Sequence, residues 1–275
     1  MSGEHMSKRL DNRICIVVGG GQTPGATLGN GKATALRFAQ EGAVVVVADR
    51  HLDAAAQTVE EIVAAGGAGL AVRTDVTEEA SIRQLNACCV VERYGRLDVL
   101  HNNVGISSEG GDAAIDSITE EAFDRVHAVN LRGMAMTCKH ALEVMVNQGR
   151  GVIINVGSIA SLNIHPTLAY KTSKAGVTAL TQHIAVKYAK LGIRANCILP
   201  GSMATPMAVD GAARRKGLDP AELSAQRDAR VPLRGKQGTA WDVANAALFL
   251  ASDEADFITG ANLPVDGGAL AFIGT

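Results

Sequence analysis

Short runs of β-branched residues alternate with helical stretches along this chain, and this alternation restricts its possible folds more than any other feature. Seven runs are predicted to be strands, at residues 14–18, 43–48, 69–73, 97–101, 151–156, 193–199 and 261–265. Helices are predicted between them, near residues 31–41, 52–65, 78–94, 119–147, 168–191 and 240–252. Because strands that are apolar on both faces must be covered on both sides, the pattern predicts a doubly wound (Rossmann) α/β fold with a parallel sheet of about seven strands.

Neither a linker nor a shift in composition divides the chain, so residues 1–275 are predicted to form a single Rossmann-type domain. Residues 1–12 are polar and are expected to be flexible. The polar, arginine-rich stretch 205–238 has no place in the alternation and leaves the carboxyl end of a strand. Since ligands of doubly wound sheets bind beyond those ends, this stretch is predicted to be a lid over the substrate.

Charge and composition exclude several classes of function. The formal net charge of −2 offers no electrostatic basis for binding nucleic acid. The apolar runs are far shorter than the roughly 20 residues that cross a bilayer, so we expect no membrane association and a cytoplasmic location. The five cysteines, at positions 15, 88, 89, 138 and 197, include no Cys-x-x-Cys pair. We therefore expect reduced thiols and no metal site.

A glycine-rich segment from Gly19 to Gly31 follows the first predicted strand and opens the first predicted helix. Glycines there allow backbone amides to approach a pyrophosphate, although a tight βα turn would have the same composition. Asp49 ends the second strand, where a carboxylate can bind ribose hydroxyls and repels a 2′-phosphate, which favours NAD over NADP. Asp49 is also compatible with an N-cap of the next helix, and Arg50 could partly accommodate such a phosphate.

Tyr170 and Lys174 are four residues apart on a predicted helix, so their side chains share one face. A free phenol has a pKa of about 10, and a neighbouring ammonium lowers that pKa because it favours the phenolate. The pair is therefore suited to proton transfer, although such pairs also occur on solvated helix faces. The other two tyrosines, Tyr94 and Tyr188, lack this partner.

Taken in order, these features resemble the short-chain dehydrogenase/reductase family over nearly the whole chain, from about residue 13 to residue 268. The matching segments are the glycine-rich loop, Asp49, Asp75-Val76, residues 102–105, Asn130, Ser158, Tyr170 with Lys174, Pro200-Gly201 with Thr205-Pro206, and residues 265–268. The resemblance implies an NAD-dependent oxidoreductase that moves a hydride between the cofactor and a secondary alcohol or its ketone. Its acid/base would be Tyr170, assisted by Asn130, Ser158 and Lys174.

The resemblance also implies individual roles. Ser158 would bind the substrate oxygen, and Lys174 would bind the nicotinamide ribose and lower the pKa of Tyr170. Asn130 would kink its helix and hold a water near Lys174. The residues expected to bind the cofactor are Gly20, Gly21, Gly29, Gly31, Asp49, Asp75, Val76, Asn103, Gly105, Tyr170, Lys174, Pro200, Gly201, Met203 and Thr205. Those expected to contact the substrate are Ser158, Ala160, His165, Met203 and Met207, with core packing as the alternative for the two methionines.

The sequence departs from the family pattern in two places. Eight residues separate Gly20 from Gly29, where the family has three, so the roles of individual glycines stay open. Ser158 and Tyr170 are twelve positions apart, often thirteen in relatives, and Ser161 competes for the role of the serine.

The favoured hypothesis is an enzyme for a small or medium, largely uncharged secondary alcohol or its ketone. The alternative is an enzyme similar to a 3-oxoacyl-(carrier protein) reductase. A non-catalytic NAD sensor of the same fold is less favoured, because such proteins lose the tyrosine or the lysine. The family also implies a homotetramer that packs through helices 119–147 and 168–191, with Met134, Met136 and Val144 at the interface.

Overall fold

The computed structural model describes residues 8–86 and 92–272. Its strands are β1 (Ile14–Val18), β2 (Val44–Asp49), β3 (Ala68–Arg73), β4 (Val99–Asn102), β5 (Gly151–Val156), β6 (Ile193–Pro200) and β7 (Asn262–Val265). They form one sheet in the order β3-β2-β1-β4-β5-β6-β7, and each pair is parallel. The predicted seven-stranded parallel sheet is confirmed, with every strand within two residues of its predicted ends.

Helices connect these strands as the alternation predicted. They are α1 (Asn30–Gln40), α2 (Leu52–Ala64), α3 (Glu79–Asn86), α4 (Glu92–Tyr94), α5 (Glu120–His127), α6 (Met134–Gln148), α7 (Leu168–Tyr188), α8 (Ala212–Lys216), α9 (Pro220–Asp228) and α10 (Ala240–Ala251). Short 3-10 turns lie at Ser108–Gly110, Ile159–Ser161, Ala189–Leu191 and Asp253–Ala255. Residues 87–91, part of the helix predicted over 78–94, lie outside the described residues together with Cys88 and Cys89.

The predicted helix over 119–147 is interrupted in the structure. A π-helical segment, Ala128–Gly133, separates α5 from α6. A second π-helical segment, Met207–Gly211, precedes α8. One extra residue per turn displaces the helix axis and is frequent at functional sites. The first of these segments carries Asn130, one of the residues expected to act in catalysis.

Apolar side chains cover both faces of the sheet. In β1, Cys15 and Val17 pack on the face that α1 and α10 cover, whereas Ile16 and Val18 pack on the face that α6 and α7 cover. This alternation, with burial on both sides, is what a doubly wound sheet requires. Met134, expected at a subunit interface, is only 4% exposed and belongs to the core of its own subunit. That expectation is wrong for Met134, because the core of its own subunit covers its side chain.

The predicted lid is a compact excursion from the sheet. It contains the second π-helical segment, α8 and α9, and its two ends meet near the carboxyl end of β6. There Ala204 N donates to Gly238 O at 2.8 Å, and Gly238 N donates to Ser202 O at 3.1 Å. The stretch 205–238 therefore leaves and rejoins the fold at one point.

Several smaller expectations can be compared with the described residues. The thiols of Cys15, Cys138 and Cys197 are free and buried, as predicted. Residues 1–7 lie outside the described part, whereas Leu10 is fully buried and Arg9 pairs with Glu41 at 2.9 Å. Within residues 8–86 and 92–272, none of the helices is both long and apolar enough to span a bilayer. The same residues include no cluster of histidine, cysteine and acidic side chains that could hold a metal ion.

Candidate active site

The candidate site lies at the carboxyl edge of the sheet, where the strand order reverses between β1 and β4. The glycine-rich loop follows β1, Asn103 follows β4, Ser158 follows β5 and Gly201 follows β6. Parallel strands bring these loops to one edge, and the reversal opens a crevice between them. The topology therefore gathers residues that are far apart in the sequence.

Two glycines make the close approach that the first loop requires. Gly19 has a φ of +78°, and its amide donates to Ala48 O at 2.7 Å. A Cβ at Gly31 would lie 1.9 Å from Gly19 O, which also accepts a hydrogen bond from Asn103 Nδ2 at 3.1 Å. Only glycine fits at position 31, because the first turn of α1 rests directly on this carbonyl. Gly19, which was not among the predicted cofactor residues, is thus part of the glycine-rich loop surface against which α1 packs.

The long loop between Gly20 and Gly29 is organised by one side chain. Gln22 Nε2 donates to the carbonyls of Thr23 and Thr27 at 2.8 and 2.9 Å, and Gln22 Oε1 accepts from Gly29 N at 3.2 Å. A Cβ at Gly29 would meet nothing closer than this Oε1, at 3.8 Å. Gly29 is therefore not held to glycine by crowding, which separates it from Gly31.

The tip of this loop also reaches the lid. Ala26 N donates to Asp210 Oδ1 at 3.3 Å, and a Cβ at Gly25 would lie 2.6 Å from Asp210 Oδ2. The additional residues of the loop therefore connect the region next to α1 with the lid. Sequence reasoning missed Asp210, since its partner is 184 residues away in the chain.

The loop has the features of a pyrophosphate site. Gly29 is the N-cap of α1 and provides no side-chain bond to the first turn. Within the described part of the chain, Thr27 Oγ1 is buried without a hydrogen-bond partner. The uncapped amides of a helix N-terminus and a free hydroxyl donor suit a phosphate group. The residues present therefore fit a dinucleotide cofactor.

Asp49 ends β2 and binds the glycine-rich loop. Its Oδ2 accepts from Gly21 N at 3.1 Å, and its Oδ1 accepts from His51 N at 3.0 Å. Because the N-cap of α2 is His51, the alternative role of Asp49 as that N-cap is wrong. A Cβ at Gly21 would lie 2.8 Å from Asp49 Oδ2, so a glycine at position 21 lets the loop lie against the carboxylate. Gly20 packs in a similar way against Val47.

The other predicted cofactor residues line the same edge. A hydrogen bond from the Thr77 hydroxyl holds the pKa of Asp75 below its usual value. Val76 is buried against Gly133 of the first π-helical segment. A Cβ at Gly105 would lie 3.1 Å from Lys174 Nζ, so the absence of a side chain leaves room for the ammonium.

The loop after β6 is held closely to the end of β7. Gly201 follows Pro200, and its amide donates to Val265 O at 3.0 Å. A Cβ at Gly201 would lie 2.6 Å from Asp266 Cβ. Thr205 is nearly buried at the start of the lid. This loop thus joins the sheet to the lid.

Tyr170 and Lys174 lie on one face of α7, as predicted. Lys174 Nζ is 5.7 Å from the centroid of the Tyr170 ring and donates to Val156 O at 2.8 Å. Ser158 follows Val156 by two residues, and its hydroxyl lies close enough to the Tyr170 phenol to lower the pKa of that phenol. The structure therefore brings the predicted serine, tyrosine and lysine together.

The electrostatics of this cluster differ from the expectation. Burial raises the pKa of Tyr170, a hydrogen bond with Ser158 opposes that shift, and the Glu109 carboxylate adds to it. Burial also lowers the pKa of Lys174, to about 8. The predicted lowering of the Tyr170 pKa is therefore not found for the chain by itself. The Lys174 ammonium binds a carbonyl oxygen and lies over the Tyr170 ring.

Ser158, and not Ser161, has the geometry for the serine role. Ser161 Oγ donates to Ser158 O at 2.7 Å and so completes the turn that follows β5. Ser158 Oγ accepts from Ala160 N at 3.1 Å. An accepted amide bond leaves the Ser158 proton available for another oxygen.

Asn130 is fully buried in the first π-helical segment. Its Oδ1 accepts from Ile106 N at 2.7 Å, and its Nδ2 donates to Ile106 O at 2.8 Å and to Ser173 Oγ at 3.1 Å. The π-helical segment thus interrupts the α-helix at the residue where a kink was predicted. The water beside Lys174 stays a prediction.

Apart from Ser158, the residues expected to contact substrate fall into an accessible pair, His165 and Met207, and a buried pair, Ala160 and Met203. His165 lies on Tyr170, with ring centroids 5.2 Å apart, and Met207 is 40% exposed at the start of its π-helical segment. Ala160 is buried behind Ser158. Met203 is 4% exposed and packs in the core with α10. For the Met203 side chain the core alternative is therefore correct, because the lid ends pair at this residue and turn it inward.

Two acidic residues near Tyr170 had no signal in the local sequence. Asp112 binds the first turn of α7. Glu109 lies 3.8 Å from Arg215 of α8, so an ion pair links the lid to the turn Ser108–Gly110. Their partners are 57 or more residues away, which is why no helical or strand spacing indicated them.

The chain is similar to proteins of known sequence and structure. Residues 25–269 match the family model described as enoyl-(acyl carrier protein) reductase. A 2,5-dichloro-2,5-cyclohexadiene-1,4-diol dehydrogenase of Sphingobium indicum is 37% identical over 266 residues, which cover 96% of this chain and 98% of that protein. A 3-oxoacyl-(acyl-carrier-protein) reductase of Thermotoga maritima is 36% identical over 263 residues, covering 94% and 98%. The crystal structure of a short-chain dehydrogenase/reductase from Burkholderia xenovorans, named as putative, has a TM-score of 0.90 and 39% identity, with 97% and 100% covered.

Proposed function

We propose that this chain, which belongs to the short-chain dehydrogenase/reductase family, interconverts a secondary alcohol and its ketone with NAD. Its relatives show that it is an oxidoreductase acting on CH–OH groups. The observation that carries this proposal is the cluster of Ser158, Tyr170 and Lys174 at the carboxyl edge of the sheet. A protein that only senses NAD would not need a partly buried phenol next to a buried ammonium.

In this proposal Tyr170 is the acid/base. During oxidation its phenolate takes the proton of the substrate hydroxyl, and during reduction its phenol returns that proton to the carbonyl oxygen. Ser158 donates a hydrogen bond to the same oxygen and orients it. Lys174 binds the nicotinamide ribose, and Asn130 supports the segment that faces it. A dinucleotide held there would accept the hydride during oxidation and supply it during reduction.

The dinucleotide would be held by the residues that form its fitted site. Gly19 and Gly31 allow the backbone to approach the pyrophosphate, and α1 stabilises the negative charge. Asp49 would bind the adenosine ribose, with Asp75 and Val76 beside the adenine and the loop from Pro200 to Thr205 beside the carboxamide.

Asp49 supports NAD as the cofactor. Each oxygen of its carboxylate accepts one backbone hydrogen bond and keeps a lone pair that can accept from a ribose hydroxyl. A 2′-phosphate would instead meet a like charge. We expect kcat/KM to be higher with NAD than with NADP by about 100-fold, and Asp49→Ser to reduce this ratio at least tenfold. Initial rates with both cofactors on one accepted alcohol measure the ratio. Asp53→Ser, an acidic residue in the first turn of α2, is the matched control.

The same assay tests the substrate class. Secondary alcohols, ketones and 3-oxoacyl thioesters would be compared through the absorbance of the reduced nicotinamide. We propose a small or medium, largely uncharged substrate, because the segment between Ser158 and Tyr170 carries exposed apolar side chains, Leu162 and Ile164. The similarity to a 3-oxoacyl reductase supports the alternative substrate. Preference for NADP, or activity confined to acyl thioesters, would contradict the proposal, and the second outcome would favour that alternative.

The pKa of Lys174 sets an expected pH profile. Oxidation needs Tyr170 deprotonated and Lys174 protonated. Below pH about 8 the ammonium persists while the phenolate fraction rises, so log kcat/KM for oxidation should rise with a slope of about one. Above pH about 8 the ammonium is lost as fast as phenolate forms, so the profile should level off. Lys174→Arg keeps its charge, and its profile should continue to rise. A wild-type profile without this break would contradict the assignment.

We further propose that the stretch 205–238 closes over the substrate and that the chain forms a two-fold symmetric homotetramer. Partly exposed apolar residues on α6, Met136 and Val144, support the second point. Light scattering that gave the mass of a monomer at micromolar concentration would exclude this assembly.

A further inference from the structure

The first turn of α7 is capped by a distant segment. The amides of Leu168, Ala169 and Tyr170 donate to Ala113 O at 2.8 Å, to Asp112 Oδ1 at 2.9 Å and to Asp112 Oδ2 at 2.8 Å. The first helical amides have no partner within their own helix and must find one elsewhere. Here a carboxylate and a carbonyl of neighbouring residues satisfy three consecutive amides, one of which belongs to Tyr170.

Asp112 is an unusual residue to find buried. It is 7% exposed, and within the described part of the chain it forms no salt bridge. A buried carboxylate requires compensation, which here comes from two charge-assisted hydrogen bonds and the positive end of α7. Its two oxygens are therefore committed to holding this helix turn.

The segment that carries Asp112 is fixed at its other end as well. Asn130 binds both the N–H and the C=O of Ile106, and it donates to Ser173 Oγ on α7. Residues 106–113 are thus joined to α7 at two places: directly at its first turn, and through Asn130 at Ser173. Glu109, whose negative charge raises the pKa of the Tyr170 phenol, belongs to the same segment.

We propose that Asp112 is a positioning residue, which fixes the first turn of α7 against residues 106–113 and so holds the Tyr170 phenol where it meets Ser158 and the substrate oxygen. This inference rests on the proposed acid/base role of Tyr170. Without the carboxylate the first turn loses two of its three external bonds. The phenol then samples positions away from the reacting oxygen, and small displacements of a reacting group reduce rates steeply.

Asp112→Asn tests the proposal in the full chain. The amide keeps the shape, but its N–H₂ faces a backbone N–H, so one bond is lost. We expect kcat to fall about 10- to 100-fold while KM for NAD changes little, because Lys174 remains anchored one turn further along α7. Asp112→Glu retains the charge and should recover part of kcat. Thr119→Ala removes the side-chain cap of the neighbouring helix α5 and should leave kcat close to wild type.

A second readout does not depend on substrate. Because the chain has only three tyrosines, Tyr94→Phe with Tyr188→Phe leaves Tyr170 as the one phenol for spectrophotometric titration. The neighbouring charged or titratable groups are Lys174, Glu109, His165 and Asp112. Loosening the turn should hydrate the phenol and remove a negative charge nearby. Both effects lower the Tyr170 pKa and outweigh the loss of the interaction with Ser158, because burial is the largest cause of the raised value. Asp112→Asn should therefore titrate at lower pH than its parent.

The outcomes distinguish a failure of the Asp112 proposal from a failure of the proposed function. Loss of turnover in Tyr170→Phe together with wild-type kcat and phenol titration in Asp112→Asn would overturn the inference alone. Full turnover in Tyr170→Phe would overturn the proposed function. Should Asp112→Asn not fold, Asp112→Glu decides: its longer side chain should lower kcat at unchanged NAD affinity, and a wild-type kcat would contradict the proposal.

Discussion

Tyr170→Phe is expected to lower kcat by about three orders of magnitude while NAD affinity stays close to wild type. The ring keeps its packing against His165 and Lys174, and only the hydroxyl that carries the proton is removed. Initial rates of nicotinamide absorbance give kcat, and titration calorimetry gives the dissociation constant of NAD.

The control for this variant is the same substitution elsewhere on α7. Tyr188→Phe removes a hydroxyl at the other end of the helix, 18 residues from Tyr170, and should leave kcat unchanged. If Tyr170→Phe kept most of its turnover, another group would be the acid/base. His165, whose ring lies on Tyr170, would then be the first candidate.

Gly31→Ala is expected to weaken NAD binding by at least about 30-fold, equivalent to about 2 kcal/mol. The new Cβ would lie 1.9 Å from Gly19 O and 2.7 Å from Asn103 Nδ2, so α1 must move away from the loop that receives the pyrophosphate. Calorimetry measures the dissociation constant, and thermal denaturation shows whether the fold is retained.

Gly29→Ala provides the matched control, two residues earlier in the same loop. Its Cβ would meet Gln22 Oε1 at 3.8 Å, an ordinary contact, and its φ of −80° is open to alanine. We expect a far smaller effect on NAD affinity than at position 31. Equal losses at the two positions would show that the close approach of α1 to Gly19 does not determine binding.

The sequence by itself determined the sheet and the catalytic helix. Apolar runs of β-branched residues indicated all seven strands, because burial on both faces leaves a pattern that is readable without any distant contact. The spacing of Tyr170 and Lys174 placed both on one face of α7, since helix geometry is local. The positions of Asp49 at the end of β2 and of Ser158 shortly after β5 followed in the same way.

Only the tertiary structure decided which residues support that site. Position 31 must be glycine because a Cβ would meet the carbonyl of Gly19. Asp112 caps a helix turn that begins more than 50 residues later, and Asp210 binds a loop near the start of the chain. Met203 is a core residue because the ends of the lid pair beside it. The net pKa of Tyr170 likewise follows from burial, which no local spacing encodes. Local patterns specify periodicity and helix faces, whereas desolvation, close approach and capping from afar arise only when distant segments pack together.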